Sequence, residues 1–224
     1  MAWAPSSGKP CSSSSRRTPD DLAPEATAAP LTGPSLVFVI VGPSGVGKGA
    51  VAAGLVDRVP DLWLSRSWTT RPRRVSDADD AYVFVDRATF EAERAAGRFL
   101  EWAEVFGNLY GTPVPVPPAG SDLLLEIDVQ GAAQVKRLRP ESVVLCVRAP
   151  SRAAQEDRLR KRGDDAAVIA RRLALADAEE QACLALADHV VVNDDLGRAI
   201  EEAAGILETH RSRRISRSRP PETP

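Results

Sequence analysis

A short glycine-rich segment carries the residue types that bind phosphate. It matches the pattern G-x-x-x-x-G-K at consecutive positions, which are Gly42, Pro43, Ser44, Gly45, Val46, Gly47 and Lys48. Glycines allow backbone N–H groups to approach phosphate oxygens, and the lysine reaches the β and γ phosphates of a nucleotide. An apolar segment precedes the pattern and a helical segment follows it. We therefore interpret residues 42–49 as a phosphate loop that runs into a helix.

The phosphate loop lacks the hydroxyl that usually follows its lysine. Gly49 stands where Ser or Thr would help to hold Mg²⁺, and Ala50 supplies no hydroxyl either. Mg²⁺ keeps several waters and is bound largely by substrate phosphates with one or two carboxylates. We therefore expect weakened metal affinity in a working site. Asp128, at the end of an apolar segment, is the carboxylate predicted to face the metal through water.

The elements around the loop follow an alternating pattern. The apolar segments LVFVIV at 36–41, DLLLEID at 122–128, SVVLCVR at 142–148 and HVVVND at 189–194 predict buried strands. Helical patterns lie at 45–59, 129–138, 151–162, 164–187 and 195–210. The alternation predicts an α/β fold, a parallel sheet with crossover helices of the P-loop NTPase type. Between Trp63 and Pro118 the segments are shorter and more polar, which indicates an inserted lobe.

Charge and apolar patterning exclude two classes of protein. The net charge is −2, but residues 1–34 contain equal numbers of acidic and basic residues and residues 210–224 contain five Arg and one Glu, which leaves residues 35–209 near −6. Such a domain lacks the basic stripe of a nucleic-acid-binding protein. Its longest apolar segment, LVFVIV, is far too short to cross a bilayer. We expect neither a nucleic-acid partner nor a membrane-spanning helix.

The cysteines and the chain ends complete the composition. Cys11, Cys146 and Cys183 show no metal-ligand spacing, and their odd number cannot form an even disulfide framework, which favours a reducing cytoplasm. Residues 1–34 are rich in Ser, Pro and Ala, so we predict a disordered N-terminal tail. We also predict a basic disordered tail over residues 210–224.

Six further segments occur in an order that resembles the guanylate kinase family. They are SRSWTTRPRR at 65–74, AYVFV at 81–85, RFLEWAEVFGNLYGT at 98–112, LLLEIDVQGA at 123–132, RLRKRG at 158–163 and VVVNDDL at 190–196. The resemblance covers residues 36–209. It implies a kinase that moves the γ-phosphoryl of ATP onto GMP or dGMP with Mg²⁺. It divides the domain, 35–209, into a core (35–62 and 121–209), a small α+β GMP-binding lobe (about 63–120) and a helical lid (about 158–173).

The resemblance also implies roles for individual residues. The guanine contacts are Ser67, Glu101 and Thr112, and the groups that hold the GMP phosphate are Arg71, Arg73, Tyr82 and Tyr110. Asp128 lies between guanine and metal. A carboxylate suits guanine because N1–H and N2–H₂ are adjacent donors, and guanidinium groups pair with phosphate oxygens.

The remaining implied roles concern ATP. The arginines that close over the transferred phosphoryl group are Arg158, Arg162 and Arg172, and they complement Lys48 and Arg71 in catalysis. The residues that border adenine are Asn193 and Asp194. The phosphate loop itself binds the ATP phosphates.

Three departures from the family pattern leave other functions open. The family shows T-T-R-x-P-R-x-G-E, whereas we interpret TTRPRRVSDADDAY as one residue shorter. The segment PVPVPPAGSD is about four residues shorter than its counterpart and too proline-rich for a helix, and the lid segment RGDDAAVI lacks one residue. With the missing hydroxyl, these changes also fit a non-catalytic module that binds nucleotide or protein. A P-loop kinase for another small molecule is the third possibility.

Overall fold

The structure, a computed structural model, describes residues 36–75 and 77–218 of the chain. Strands and helices alternate through most of this range. In chain order the elements are β1 (Val37–Val41), α1 (Lys48–Arg58), β2 (Leu62–Leu64), β3 (Trp68–Thr69), β4 (Val83–Phe84), α2 (Arg87–Ala95), β5 (Phe99–Val105), β6 (Asn108–Pro113), β7 (Asp122–Glu126), α3 (Val129–Leu138), β8 (Val143–Arg148), α4 (Arg152–Lys161), α5 (Ala166–Leu186), β9 (His189–Val192) and α6 (Leu196–Ser218).

The main sheet is parallel and has helices on both faces, as the sequence predicts. Its five strands have the order β2-β7-β1-β8-β9. Every residue of β1 is buried, and its side chains alternate between two apolar clusters. Phe38 and Ile40 pack with α1 and α6, whereas Val37 and Val39 pack with α3 and α5. The central strand therefore stabilises both layers, which explains its continuous apolar sequence.

A second, smaller sheet forms the lobe between residues 68 and 113. Its strand order is β4-β3-β6-β5, with β5 and β6 as an antiparallel hairpin. The lobe has its own apolar cluster, in which the rings of Phe90 and Phe99 stack with centroids 4.5 Å apart. Asp86 caps the N-terminus of helix α2, because its side chain accepts a hydrogen bond from the backbone N–H of Thr89. This separate core supports the interpretation of the segment as an inserted lobe.

The closing helix is longer than the sequence analysis predicts. Helix α6 continues to Ser218, through part of the segment 210–224 that we interpreted as a tail. The helix is anchored at Arg211, which donates through Nε to Asp122 at 2.7 Å and through Nη2 to the carbonyl oxygen of Pro60 at 2.8 Å. His210 lies beside His189, with their Nε2 atoms 2.9 Å apart. The rest of this tail, residues 219–224, and residues 1–34 lie outside the described part of the chain.

Two cysteines of the core form a disulfide. Cys146 in β8 and Cys183 in α5 are bonded, with their Cα atoms 5.8 Å apart and both side chains fully buried. The interpretation of an odd cysteine count as a sign of a reducing compartment does not account for this bond. An odd count does not prevent two of the three cysteines from pairing, and here the fold brings β8 and α5 together.

Neither long helix resembles a membrane span. Over residues 36–75 and 77–218, no helix is both long enough and apolar enough to cross a bilayer.

Candidate active site

A cavity of about 760 Å³ lies where the lobe, the phosphate loop and the lid face one another. The phosphate loop follows β1 and Asp128 follows β7, so both lie beyond the carboxyl ends of parallel strands, where α/β sheets bind ligands. The predicted residues in the cavity wall are Gly42, Ser44, Gly45, Gly47, Lys48, Gly49, Ser67, Arg71, Tyr82, Glu101, Tyr110, Asp128, Arg158, Arg162, Arg172 and Asn193. The fold therefore brings together residues that are distant in sequence.

The phosphate loop has the tight backbone that its glycines predict. Gly42 and Gly47 have φ angles of 148° and 94°, values that side-chain-bearing residues rarely adopt. A Cβ atom on Gly42 would lie 2.2 Å from the carbonyl oxygen of Val147, and one on Gly47 would lie 2.3 Å from Asn193 Nδ2. Pro43 and Val46 lie outside the cavity wall. Val46 supports the loop through its backbone, because its carbonyl oxygen accepts a hydrogen bond from Arg158 at 2.9 Å.

Lys48 lies over the loop among acidic side chains. Its Nζ donates to the carbonyl oxygens of Gly42 at 2.8 Å and Pro43 at 3.3 Å. Burial lowers the pKa of Lys48, while the charges of Glu126, Glu179 and Asp128 oppose that change. Burial likewise raises the pKa of Glu126, which the charge of Lys48 opposes. The lysine and these carboxylates therefore form one mutually dependent set of charges.

The predicted guanine contacts form a buried group at the lobe end of the cavity. Glu101 is 3% exposed, and the hydroxyls of Ser67 and Thr112 are 3.3 Å apart. Burial raises the pKa of Glu101 to about 8, although hydrogen bonding to Thr112 opposes the shift. Thr112 is fully buried and lies outside the cavity wall. A Cβ atom at position 131 would lie 2.1 Å from Glu101 Oε2, so Gly131 in α3 leaves room for this carboxylate.

Arg71 is held in place by an acidic partner and by two aromatic rings. Its guanidinium group makes two hydrogen bonds to Asp77, at 2.9 and 3.0 Å. It also lies 5.5 Å from the ring centroids of Tyr82 and Phe84. The rings of Tyr82 and Tyr110 are 6.0 Å apart. The charge of Glu126, followed by burial, raises the pKa of Tyr82, so this phenol remains a hydrogen-bond donor.

Of the two arginines that follow Arg71 in this segment, Arg74 reaches the cavity and Arg73 does not. Arg73 pairs with Asp79 at 2.5 Å near the protein surface, where 43% of its side chain is exposed. Arg74 lines the cavity and lies 3.6 Å from Asp164. The prediction of Arg73 depends on a gap that makes this segment one residue shorter than T-T-R-x-P-R. Counted from Thr69 without a gap, the pattern places Arg74 at its second arginine.

The lid arginines approach the phosphate loop from α4 and α5. Arg158 donates to the carbonyl oxygens of Val46 and Asn193, the latter at 2.7 Å. Arg172 donates from Nη1 to Ser44 Oγ at 2.5 Å. The Nε atoms of Arg162 and Arg172 are buried and have no hydrogen-bond partner within the described residues. Buried donors without partners are costly, and phosphate oxygens would satisfy them.

The two residues predicted to border adenine separate in the structure. Asn193 is 3% exposed, lines the cavity and donates to the carbonyl oxygen of Val46 at 2.9 Å. Its Oδ1 is buried without a partner in the described ranges. Asp194 lies outside the cavity wall, where it pairs with Arg198 on the first turn of α6.

The carboxylates beside the loop suit a hard cation better than a transition metal. Within the described residues no group of three or more His, Cys, Asp or Glu side chains could hold a metal by itself. Glu126 and Asp128 both line the cavity, and a Cβ atom on Gly49 would lie 3.5 Å from Glu126 Oε2. Two carboxylates next to a phosphate site fit Mg²⁺, which takes most of its other ligands from water and phosphate.

Several wall residues were missing from the sequence-based assignment. They are Arg74, Phe106, Glu126 and Glu179. Its position at the end of a buried strand could have indicated Glu126, the last residue of β7. Glu179 is one of several acidic residues in the Ala- and Glu-rich α5, so the sequence does not indicate that this residue faces the cavity.

The chain is similar to guanylate kinases in sequence and structure. The guanylate kinase family model matches residues 35–210. The guanylate kinases of Carboxydothermus hydrogenoformans and Bordetella pertussis are 44% and 46% identical to it, over 77% and 79% of this chain and 87% and 85% of theirs. A crystal structure of guanylate kinase from Anaplasma phagocytophilum matches with a TM-score of 0.63 and 31% identity, covering 78% of this chain and 85% of that one. The chain therefore belongs to the guanylate kinase family.

Proposed function

We propose that the chain transfers the γ-phosphoryl group of ATP to GMP, giving ADP and GDP. The observation that carries the proposal is one cavity that combines a phosphate loop with its lysine, the lid arginines and a buried carboxylate at the lobe end. The first two groups suit a nucleoside triphosphate, and the third suits guanine. The similarity to enzymes named guanylate kinase supports the same assignment.

GMP binds at the lobe end in this proposal. Glu101 accepts hydrogen bonds from N1–H and N2–H₂ of guanine, and Ser67 and Thr112 supply hydroxyls beside the base. The side chains that hold the GMP phosphate are Arg71, Tyr82, Tyr110 and, in place of Arg73, Arg74. Guanidinium groups pair with phosphate oxygens through two parallel hydrogen bonds, and the phenols add single donors.

ATP binds over the phosphate loop, with its phosphates held by backbone N–H groups and by Lys48. Asn193 borders adenine, because its buried Oδ1, which has no partner among the described residues, can accept a hydrogen bond from the exocyclic amino group. Asp194 lies outside the cavity wall and pairs with Arg198, so we assign it no contact with adenine.

Phosphoryl transfer then depends on positioning and electrostatics. Lys48, Arg162 and Arg172 place positive charge around the oxygens of the moving group, where negative charge spreads in the transition state. Arg158 holds the loop backbone and Asn193 together from the lid side. No side chain has to act as a strong base in such a reaction.

Mg²⁺ fits this site as the partner of the ATP phosphates. Asp128 and Glu126 would hold its water shell at the end of β7. When bound, Mg²⁺ supplies charge neutralisation and orients the β and γ phosphates.

The proposal is tested by coupled ADP release with ATP and GMP, with AMP, CMP and UMP as alternative acceptors. We expect turnover with GMP to exceed turnover with each other acceptor by orders of magnitude. Lys48→Ala should lower the turnover with GMP by at least about 100-fold. Binding of both nucleotides without ADP release would instead identify a binding module.

A further inference from the structure

One buried carboxylate near the cavity has no role in the proposed transfer. Asp164 lies in the connection between α4 and α5, and only 5% of its side chain is exposed. It does not belong to the cavity wall, although its partners do. Arg162 Nη2 lies 2.6 Å from its carboxylate, and Arg74 Nε and Arg172 Nη1 each lie 3.6 Å away.

The three arginines come from different parts of the chain. Arg74 belongs to the lobe, Arg162 follows the end of α4, and Arg172 lies in α5. Burial, followed by the positive charges of the neighbouring arginines, lowers the pKa of both Arg74 and Arg172. Three guanidinium groups that surround one carboxylate repel one another, and because they are partly buried, solvent screens this repulsion only weakly. A central negative charge is therefore needed to keep them together.

Asp164 is suited to that task. Burial alone would raise its pKa, but Arg162, Arg172 and Arg74 together hold the pKa below its ordinary value, so the carboxylate stays ionised. It contacts Arg162 and Arg172 through their Nη atoms. The Nε atoms of both residues remain buried and without a partner among the described residues. The carboxylate thus accepts a hydrogen bond from Arg162 and forms an ion pair with Arg172, while the Nε donor of each residue is left for phosphate.

We infer that Asp164 is a positioning residue that assembles Arg74, Arg162 and Arg172 before substrates bind and limits how strongly this arginine set binds phosphate groups. It links an arginine proposed to hold the GMP phosphate with two proposed to act on the transferred group. Its effect on turnover rests on the proposed function, whereas its effect on anion binding does not. Loss of the carboxylate should strengthen anion binding and at the same time disturb the orientation that catalysis requires.

The chain offers a matched control at the next residue. Asp165 is exposed, and it precedes α5 without a side-chain hydrogen bond to the described helix. Asp164→Asn and Asp165→Asn therefore change the net charge equally and differ only in which carboxylate is removed. Asp164→Glu keeps the charge and serves as the conservative variant.

The test combines calorimetry with tripolyphosphate and steady-state ADP release. We expect Asp164→Asn to bind tripolyphosphate at least about fivefold more tightly than the wild type, since a nearby repulsive charge is gone. We expect its kcat with GMP to fall about tenfold or more, because misplaced groups lose their catalytic advantage. In Asp165→Asn, the affinity for tripolyphosphate and the kcat should both stay within about twofold of the wild-type values. In Asp164→Glu, both quantities should be close to the wild-type values.

Equal behaviour of Asp164→Asn and Asp165→Asn in both measurements would overturn the inference. A fall in kcat together with weaker tripolyphosphate binding would also overturn it, because a merely structural role predicts that combination. Thermal unfolding establishes that each variant is folded, and Asp164→Ser replaces Asp164→Asn if the latter is not. A wild type without GMP-dependent turnover would refute the proposed function, while the calorimetric comparison would still decide the role in anion binding.

Discussion

We propose that the choice of nucleobase depends on the Glu101 side chain. It is buried, it lies next to two hydroxyl groups, and Gly131 leaves the space that its carboxylate occupies. An adenine or pyrimidine ring would not present two adjacent donors to it. Selectivity for GMP is therefore expected to follow the acceptor character of this one residue.

Glu101→Gln should raise the KM for GMP by about 10- to 100-fold, since a hydrogen bond to a charged group contributes about 1.5–3 kcal/mol. The amide nitrogen would face a guanine donor, which adds to the loss. The KM for ATP should change little. Glu104→Gln, an exposed residue of the same strand, is the control and should leave both constants unchanged. Equal effects of Glu101→Gln on both substrates would remove Glu101 from the guanine site.

The raised pKa of Glu101, about 8, makes GMP binding pH-dependent. Below that pH the free protein holds a proton on this carboxyl, and guanine requires the ionised form, so binding releases the proton. The KM for GMP should therefore fall by up to about tenfold per unit as pH rises from 6.5 to 7.5, and level off above pH 8. Steady-state kinetics across this range measure the slope. A wild type with the flat profile expected of Glu101→Gln would contradict this linkage.

The missing loop hydroxyl can be restored by Gly49→Ser. The substituted Cβ would make an ordinary contact, 3.5 Å from Glu126 Oε2, so the fold should tolerate it. We expect the Mg²⁺ concentration at half-maximal rate to fall about fivefold, which corresponds to roughly 1 kcal/mol for one added interaction. Gly49→Ala is the matched control, because it adds the same Cβ without a hydroxyl. Identical Mg²⁺ requirements in both variants would show that the hydroxyl is dispensable here.

At the scale of elements, α5 connects the site to the core. Its first half carries Arg172 and its second half carries Glu179 and Cys183, so one helix joins the lid, the phosphate loop and the sheet. The sequence predicts this helix from composition and places it correctly between residues 164 and 187. It does not predict the disulfide, because cysteine spacing carries no information about which strand the helix packs against.

Reduction of the Cys146–Cys183 bond should lower the free energy of unfolding by about 2–4 kcal/mol, because the bond closes a loop with a sequence separation of 37 residues. Denaturant unfolding of the wild type with and without a reducing agent measures the difference. In Cys183→Ala the reducing agent should have no effect, and this variant controls for its other actions. An unchanged wild-type midpoint on reduction would show that the bond does not contribute to stability.

At the scale of the molecule, the parallel sheet and the inserted lobe could be predicted from the sequence, and the extent of α6 could not. Apolar segments such as LVFVIV identify buried strands, and the motif order assigns most of the cavity wall. Arg73 was chosen over Arg74 because a gap in a loop cannot be located from one sequence. The tail prediction began too early because the arginines of α6 suggest solvent, although Arg211 binds Asp122 of the sheet.

In the proposed reaction ATP and GMP occupy one cavity, and a phosphoryl group passes directly between them. The decisive experiment is an incubation with ATP labelled in the γ-phosphate, with GMP and Mg²⁺ present. We expect the label to appear in GDP in proportion to the ADP formed. Label found only in inorganic phosphate, or retained in ATP, would contradict it.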